Sequence, residues 1–306
     1  MSQINFSYQV LSRALDIMAS LKLKSIVCVF DQAIYCKACE IKWREPEKFR
    51  NCVLMIGMFH MIMTYMHILS KRFADGGLKD ALIQSSVIAE GSVDSALRGK
   101  SYNRGVRMYK LFYEALQRLL IDQLVESGKC GRVDEACNEL VLDKIDKQIY
   151  DAIDTDKCIE EYFNNYIDLK DQIKASEFSL PKFWISYIEM VELLLNVIYA
   201  CRAGLWDLLL ECIREIIPFA FAYDNINYAR YLSVMLGDML ALETEFREIY
   251  EQFLLGNFTA QISDGVFNRV ETDKVIEMTL NKDTKTPGGT TGFSTNIGAV
   301  HRWEHG

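Results

Sequence analysis

Proline occurs only 4 times in 306 residues and glycine 17 times, which excludes a proline-rich linker, a collagen-like chain or a glycine-rich low-complexity protein. Histidine is equally scarce, at 4. Cys36 and Cys39 form a C-x-x-C pair, but His60 and His67 follow at spacings foreign to zinc modules, and both cysteines sit in a helix-patterned run. A buried, hydrogen-bonded histidine is therefore preferred to a zinc ligand at position 60. Positive charge is not in excess: 34 basic residues against 42 acidic ones give a net charge of -8, so most of the surface repels nucleic acid. Any DNA contact must come from a local basic patch. No internal repeat is present. No secretory leader pattern precedes the nine cysteines, and these lie mostly in apolar or helix-patterned segments, as expected of free thiols in a reducing, intracellular compartment.

Long apolar runs are also missing, with one exception, "CVLMIGMFHMIMTYMHILS" from Cys52 to Ser70. Its length is near the minimum for a bilayer span. It contains His60, Thr64, Tyr65 and His67 and has no equal partner elsewhere, so it reads as one buried central helix rather than a membrane segment.

Half of the residues are apolar, enough to build a packed core. Residues 6–20 pattern as an amphipathic helix, and "KSIVCVF" as a short buried strand that Asp31 closes. Gln32 to Trp43 has helical spacing up to the break at "REPEK" around Pro46. "ADGGLKD" at 74–80 reads as a turn, and Ser101 to about Leu255 as roughly six helices. Breaks are expected at Gly128 to Gly131, at Pro181, which starts a helix, and at "RAGLW", a tight helical hairpin. "NFTAQIS" alternates like a strand, "VETDKVIEMTLNK" returns to a short helix, and the tail is a Gly/Thr-rich loop. Within that tail "TPGGTTG" lacks the strand, the Lys-Ser/Thr ending and the helix of a phosphate loop. The fold class is mixed α/β and predominantly helical, with strand-containing pieces at both ends of a long all-α region.

Asp31 admits two readings. An Asp ahead of a helix is a common N-cap, its oxygen accepting first-turn N–H groups; a carboxylate at the C-terminal edge of a strand is also where α/β folds gather metals and ligands. "LRGKSYNRGVRMYK" supplies the one basic patch: Arg98, Lys100, Arg104, Arg107 and Lys110, interleaved with Tyr102 and Tyr109. Such a patch can neutralise several phosphates, the alternative being a solvated or ion-paired face.

"FDQAIYCKACEIKWREPEKFRNCVLMIGMFHMIMTYM" carries the pattern D-x-A-x-x-x-K-A-x-x-I-x-W followed by G-x-F-H. It resembles a family of uncharacterised, transposon-derived proteins of aquatic invertebrates. "FADGGLKDALIQSSV", "LRGKSYNRGVRMYKLFYEAL", "DNINYARYLSVMLGDMLAL" and "NKDTKTPGGTTGFSTNIGAVHRW" extend the resemblance in order, from about Ser25 to Trp303. That family is in turn distantly similar to RNase H-like DDE transposases of the Mutator-like type. The resemblance implies a partial RNase H-like core in residues 1–97, a helical insertion in 98–256, and the end of the core with the tail in 257–306. It places Asp31 at the second acidic catalytic position and Glu277 at the third, both as ligands of Mg²⁺ or Mn²⁺. Asp273, one turn earlier on the same helix face, is the substitute metal ligand, and a solvated Glu277 is the alternative.

The family pattern also has an upstream acidic segment, for which Asp16 on a helix-like stretch is a poor replacement. The chain is therefore expected to be a fragment or remnant of a transposase-like, DNA-processing protein without catalysis of its own. The alternative is a non-catalytic helical scaffold that binds DNA or protein partners. Either way the expected setting is intracellular, the nucleus being where DNA is met.

Overall fold

The computed structural model describes residues 3–126 and 157–279. The segment around Gly128 to Gly131, Cys130 and Cys137, and the Gly/Thr-rich tail with "TPGGTTG" lie outside the described residues. The protein is mixed α/β and predominantly helical. It divides into two compact units, Met1–Ile68 with Leu193–Gly306, and Leu69–Glu192. The unit boundaries thus fall inside two helices, α3 and α8 below.

The first unit is built on one βαβ crossover. Helix α1 (Gln3–Ser20) buries Ser7, Leu11 and Ala14 on one face at helical spacing. Strand β1 (Ile26–Phe30) pairs in parallel with β2 (Cys52–Ile56), Ile26 opposite Cys52 and Phe30 opposite Ile56. Between them runs α2 (Gln32–Arg44), which buries Tyr35, Ala38, Cys39 and Ile41. Every residue of β2 is buried, as befits a parallel strand covered on both faces. Helix α3 (Met58–Phe73) follows directly.

The apolar run from Cys52 to Ser70 is therefore not the single helix its composition suggests. It is a strand, a turn at Gly57 and a helix, with the Gly57 N–H donating to the Phe30 carbonyl at 2.7 Å. Strand β2 is buried along its whole length, so that part of the run has no polar face to reveal its period.

The rest of this unit, as described, is mainly helical. The C-terminal half of α8 (Ser179–Ala203) turns at Gly204, φ 75°, into α9 (Trp206–Ala222), which packs on α10 (Ile226–Leu240). Met235 of α10 reaches β2, its sulfur accepting from the Ile56 N–H at 3.1 Å. Short helices α11 (Leu242–Glu245) and α12 (Arg247–Leu254) follow, and Trp206 packs against Phe253 and Phe258 at ring separations of 4.6 and 5.2 Å. The strand pattern in "NFTAQIS" shrinks to β3 (Ala260–Gln261), paired antiparallel with β4 (Arg269–Val270). The Arg269 guanidinium donates to the carbonyls of Gly256 and Leu255 and lies where a Cβ on Gly204 or Gly256 would stand. Helix α13 (Thr272–Met278) ends the described chain.

In the second unit, "ADGGLKD" is a π-helical turn (Ala74–Leu78) running into α4 (Lys79–Gln84) rather than a plain turn. Gly77 takes φ 110°, and a Cβ on Gly76 would meet the Phe183 ring at 2.5 Å. Helices α5 (Glu90–Leu97), α6 (Tyr102–Glu126), α7 (Lys157–Ala175) and the first half of α8 make up the rest of its described part. Aromatic rings hold α3, α6 and α8 together: Phe73 lies 5.0 Å from both Phe183 and Tyr187, and Phe112 lies 5.1 Å from Trp184. Two hydroxyls stitch the backbone, Tyr109 to the Leu97 carbonyl and Tyr187 to the Tyr109 carbonyl, both at 3.0 Å.

Among the described residues the strands form two separate pairs, and the larger sheet of an RNase H-like core is not seen. One described helix, α8, is long and apolar enough to cross a membrane by length and composition, and half of its most apolar stretch is buried in the protein.

Candidate functional site

A parallel strand pair delivers two helix N-termini to one edge, because each strand leads straight into a helix. Asp31 follows β1 and Gly57 follows β2, so α2 and α3 both start at the C-terminal edge. Each start has N–H groups without intrahelical acceptors. At α2 the need is met locally: Asp31 has extended backbone geometry and its Oδ1 accepts from the Ile34 N–H at 2.8 Å. Its capping reading is thus realised.

At α3 the partner comes from 213 residues away. Asp273 of α13 accepts from the Phe59 N–H through Oδ1 and from the His60 N–H through Oδ2, both at 3.1 Å. Its Oδ2 also meets His60 Nδ1 at 2.9 Å. The Asp273 side chain is 8% exposed and that of His60 30%. The carboxylate fits because position 57 has no side chain; a Cβ there would lie 2.3 Å from Asp273 Oδ2.

The surrounding charges all act in one direction. The hydrogen bond that His60 donates to Asp273 raises the His60 pKa against the opposing effect of burial, and the charges of Asp273, Glu277 and Asp31 raise it further. Thr64 hydrogen-bonds the His60 carbonyl at 3.0 Å. Burial pushes the Tyr228 phenol up to about 12 despite its hydrogen bond with Thr64, with Asp273 and Asp31 adding to the rise. A histidine held through Nδ1 by a buried carboxylate is fixed in orientation and favours the protonated form. His60 Nε2 has no hydrogen-bond partner among the described residues.

Of the acidic residues named from sequence, Asp273 contacts the imidazole, while Glu277 and Asp31 act on it through their charge. Asp273 is a helix cap and histidine partner, with both oxygens engaged. Among the described residues no three His, Cys, Asp or Glu side chains form a metal-binding group. Cys36 donates to the Ala33 carbonyl at 3.1 Å, and Cys39 is buried beside Tyr35. The His60–Asp273 pair itself was not foreseen; the sequence signal was the Asp near the start of a short helix, without its distant partner.

The basic patch lies in the second unit, around the end of α5 and the start of α6. Arg98, Lys100, Arg104, Arg107 and Lys110 are all exposed. Lys110 pairs with Glu114 at 3.6 Å, while the other four have no ion-pair partner among the described residues. Tyr109 is fully buried and cannot stack on a base.

The model of the family described as "Domain of unknown function (DUF8702)" matches residues 1–306. The chain belongs to the DUF8702 family. No curated protein and no solved structure matches it.

Proposed function

We propose that this DUF8702 chain is a DNA-binding protein of transposase-like, RNase H-type descent that does not cleave DNA by itself. The supporting observation is the exposed cationic face of Arg98, Lys100, Arg104 and Arg107, with no ion-pair partner among the described residues of a chain whose net charge is -8. Cations left free of carboxylates at a helix start are available to phosphates. The strand-edge carboxylates in this reading are the remains of the acidic site: Asp31 and Asp273 cap helices, and Glu277 lies near the same imidazole. Mg²⁺ or Mn²⁺ would find two candidate carboxylates where two-ion phosphoryl transfer needs a fuller set. The setting that follows is intracellular and, where the DNA is chromosomal, nuclear.

Titration of duplex DNA at several salt concentrations tests the proposal. Four phosphate contacts give a slope of log K against log[salt] of roughly −3 to −4. The Arg104→Glu/Arg107→Glu variant should bind more weakly and with a shallower slope. With Mg²⁺ or Mn²⁺ no strand cleavage is expected, and cleavage abolished by Asp31→Ala would overturn the non-catalytic half. Salt-insensitive or absent binding would overturn the DNA half. A helical protein-interaction scaffold is the second reading, favoured by Leu119 and Val125 of α6, which are 64% and 58% exposed.

A further inference from the structure

The opposite edge of the β1–β2 pair, where the strands begin, opens into a cavity of about 1040 Å³. It lies wholly within the first unit, between the residues that precede β1 and β2, the end of α2 and the α11–α12 junction. Four of its lining residues are basic, Lys24, Lys42, Arg50 and Arg247, and two are acidic, Glu245 and Glu248. This local positive balance stands against the chain's net charge of -8. Three of the cations are engaged: Lys24 pairs with Glu248, Lys42 donates to the Cys52 carbonyl at 2.8 Å, and Arg247 bridges Glu243 and Glu251 at 3.6 and 3.1 Å. Arg50 is exposed and has no partner among the described residues. In the same lining the indole of Trp43, in the last turn of α2, is 60% exposed.

Each feature narrows the occupant. An exposed tryptophan is an apolar plane offered to another plane. An unpaired guanidinium is a fork for phosphate. Ser25, Asn51 and Thr244 give the wall hydrogen-bonding groups beside its apolar surface, which suits a ligand with both polar and apolar parts. The volume is at the top of the range of small-ligand pockets, about 300–1,000 Å³, so a single inorganic anion leaves it mostly empty. Alternating planar and anionic groups are the chemistry of a nucleic-acid single strand, and a cationic groove with an aromatic platform is how single strands are held without sequence preference.

We propose that this cavity binds a short segment of single-stranded nucleic acid, with a base stacked on Trp43 and its phosphate on Arg50. The site uses none of the residues of the duplex-binding face and stands or falls apart from it.

Fluorescence anisotropy of a fluorescein-labelled oligothymidylate with the full chain tests it. Binding should weaken with salt, and Trp43→Ala and Arg50→Glu should each lose at least about fivefold in affinity. Trp43→Phe, which keeps an aromatic plane, should retain most of it. Both positions are exposed, so unchanged thermal transitions are expected to accompany the loss. The Arg104→Glu/Arg107→Glu variant should bind the single strand as the parent chain does, even where its duplex binding has fallen. Wild-type affinity in Trp43→Ala and Arg50→Glu would overturn the proposal. So would displacement of the oligomer by thymidine monophosphate at equal nucleotide concentration, which would assign the cavity to a mononucleotide.

Discussion

At the C-terminal ends of β1 and β2, Asp31 and Asp273 lie against the N-termini of α2 and α3, and Gly57 lets the second of them in. At the N-terminal ends of the same strands, Trp43 and Arg50 stand around an open cavity. One edge has its polar groups met by the chain's own carboxylates; the other leaves a guanidinium and an indole for something else. A carboxylate at a strand's carboxyl end is therefore weak evidence of catalysis until its hydrogen bonds are known, since the same position is where helices need capping. Unmatched groups mark the more informative edge.

The contrast fails first, if it is to fail, at Gly57. Gly57→Ala would place a methyl 2.3 Å from Asp273 Oδ2, driving the carboxylate off two N–H groups and His60. A loss of about 3 kcal/mol or more in unfolding free energy is expected, from overpacking and lost charge-assisted hydrogen bonds together. Chemical denaturation measures it, and a near-neutral result would show that the edge is loosely packed.

Asp273→Asn removes the charge while keeping the shape, and about 2 kcal/mol is expected to be lost near pH 6. The loss should depend on pH. Because His60 has a folded pKa raised above its ordinary 6.5, protonated His60 contributes fully below about that pH. The contribution fades as pH rises through the raised folded value. The gap between parent chain and variant should narrow accordingly, and NMR titration of the imidazole in the variant should show its pKa lowered. An unchanged gap from pH 6 to 9 would assign the Asp273 effect to capping alone.

Asp31→Ala, which removes one cap, should cost about 1 kcal/mol, and Asp31→Asn much less. A larger loss for Asp31→Asn would give its charge a role beyond capping α2. The smallest effects belong to the open edge: Trp43→Ala and Arg50→Ala should change stability by no more than about 0.5 kcal/mol, as exposed side chains without structural partners do. A thermal transition displaced by several degrees in either would mean that the cavity wall is structural.

The order strand, carboxylate, helix from Ile26 to Arg44 was legible because three signals agree there. A β-branched run stops, a capping residue follows, and apolar positions then recur at helical spacing. Cys52 to Ser70 was opaque for the opposite reason. All of β2 and much of α3 are buried, so the strand and the helix both read as continuous apolar sequence, and Gly57 was the only mark between them. The strand pattern at "NFTAQIS" was over-read, because alternation describes exposure and says nothing about whether a partner is long enough to pair; only Ala260 and Gln261 have one.

At the site, Asp31, Asp273 and Glu277 could each be named, but not their arrangement. The bond that organises them joins His60 to Asp273 across 213 residues, and no local pattern encodes it. The cationic cavity was missed because its walls come from the ends of β1, α2 and β2 and from the α11–α12 junction. No contiguous motif gathers them.

The span between His60 and Asp273 sets a schedule. A ribosome adds roughly 5–20 residues each second, so the 213 residues between them take on the order of 10–40 s to make. Throughout that interval the first turn of α3 lacks its carboxylate and the βαβ unit must wait with one helix start unmatched. This edge is thus completed only late in synthesis, when most of the described helices exist and the short α13 does not. A chain stopped just before Asp273 would possess nearly all of the described helices and strands and still lack the carboxylate that meets the start of α3.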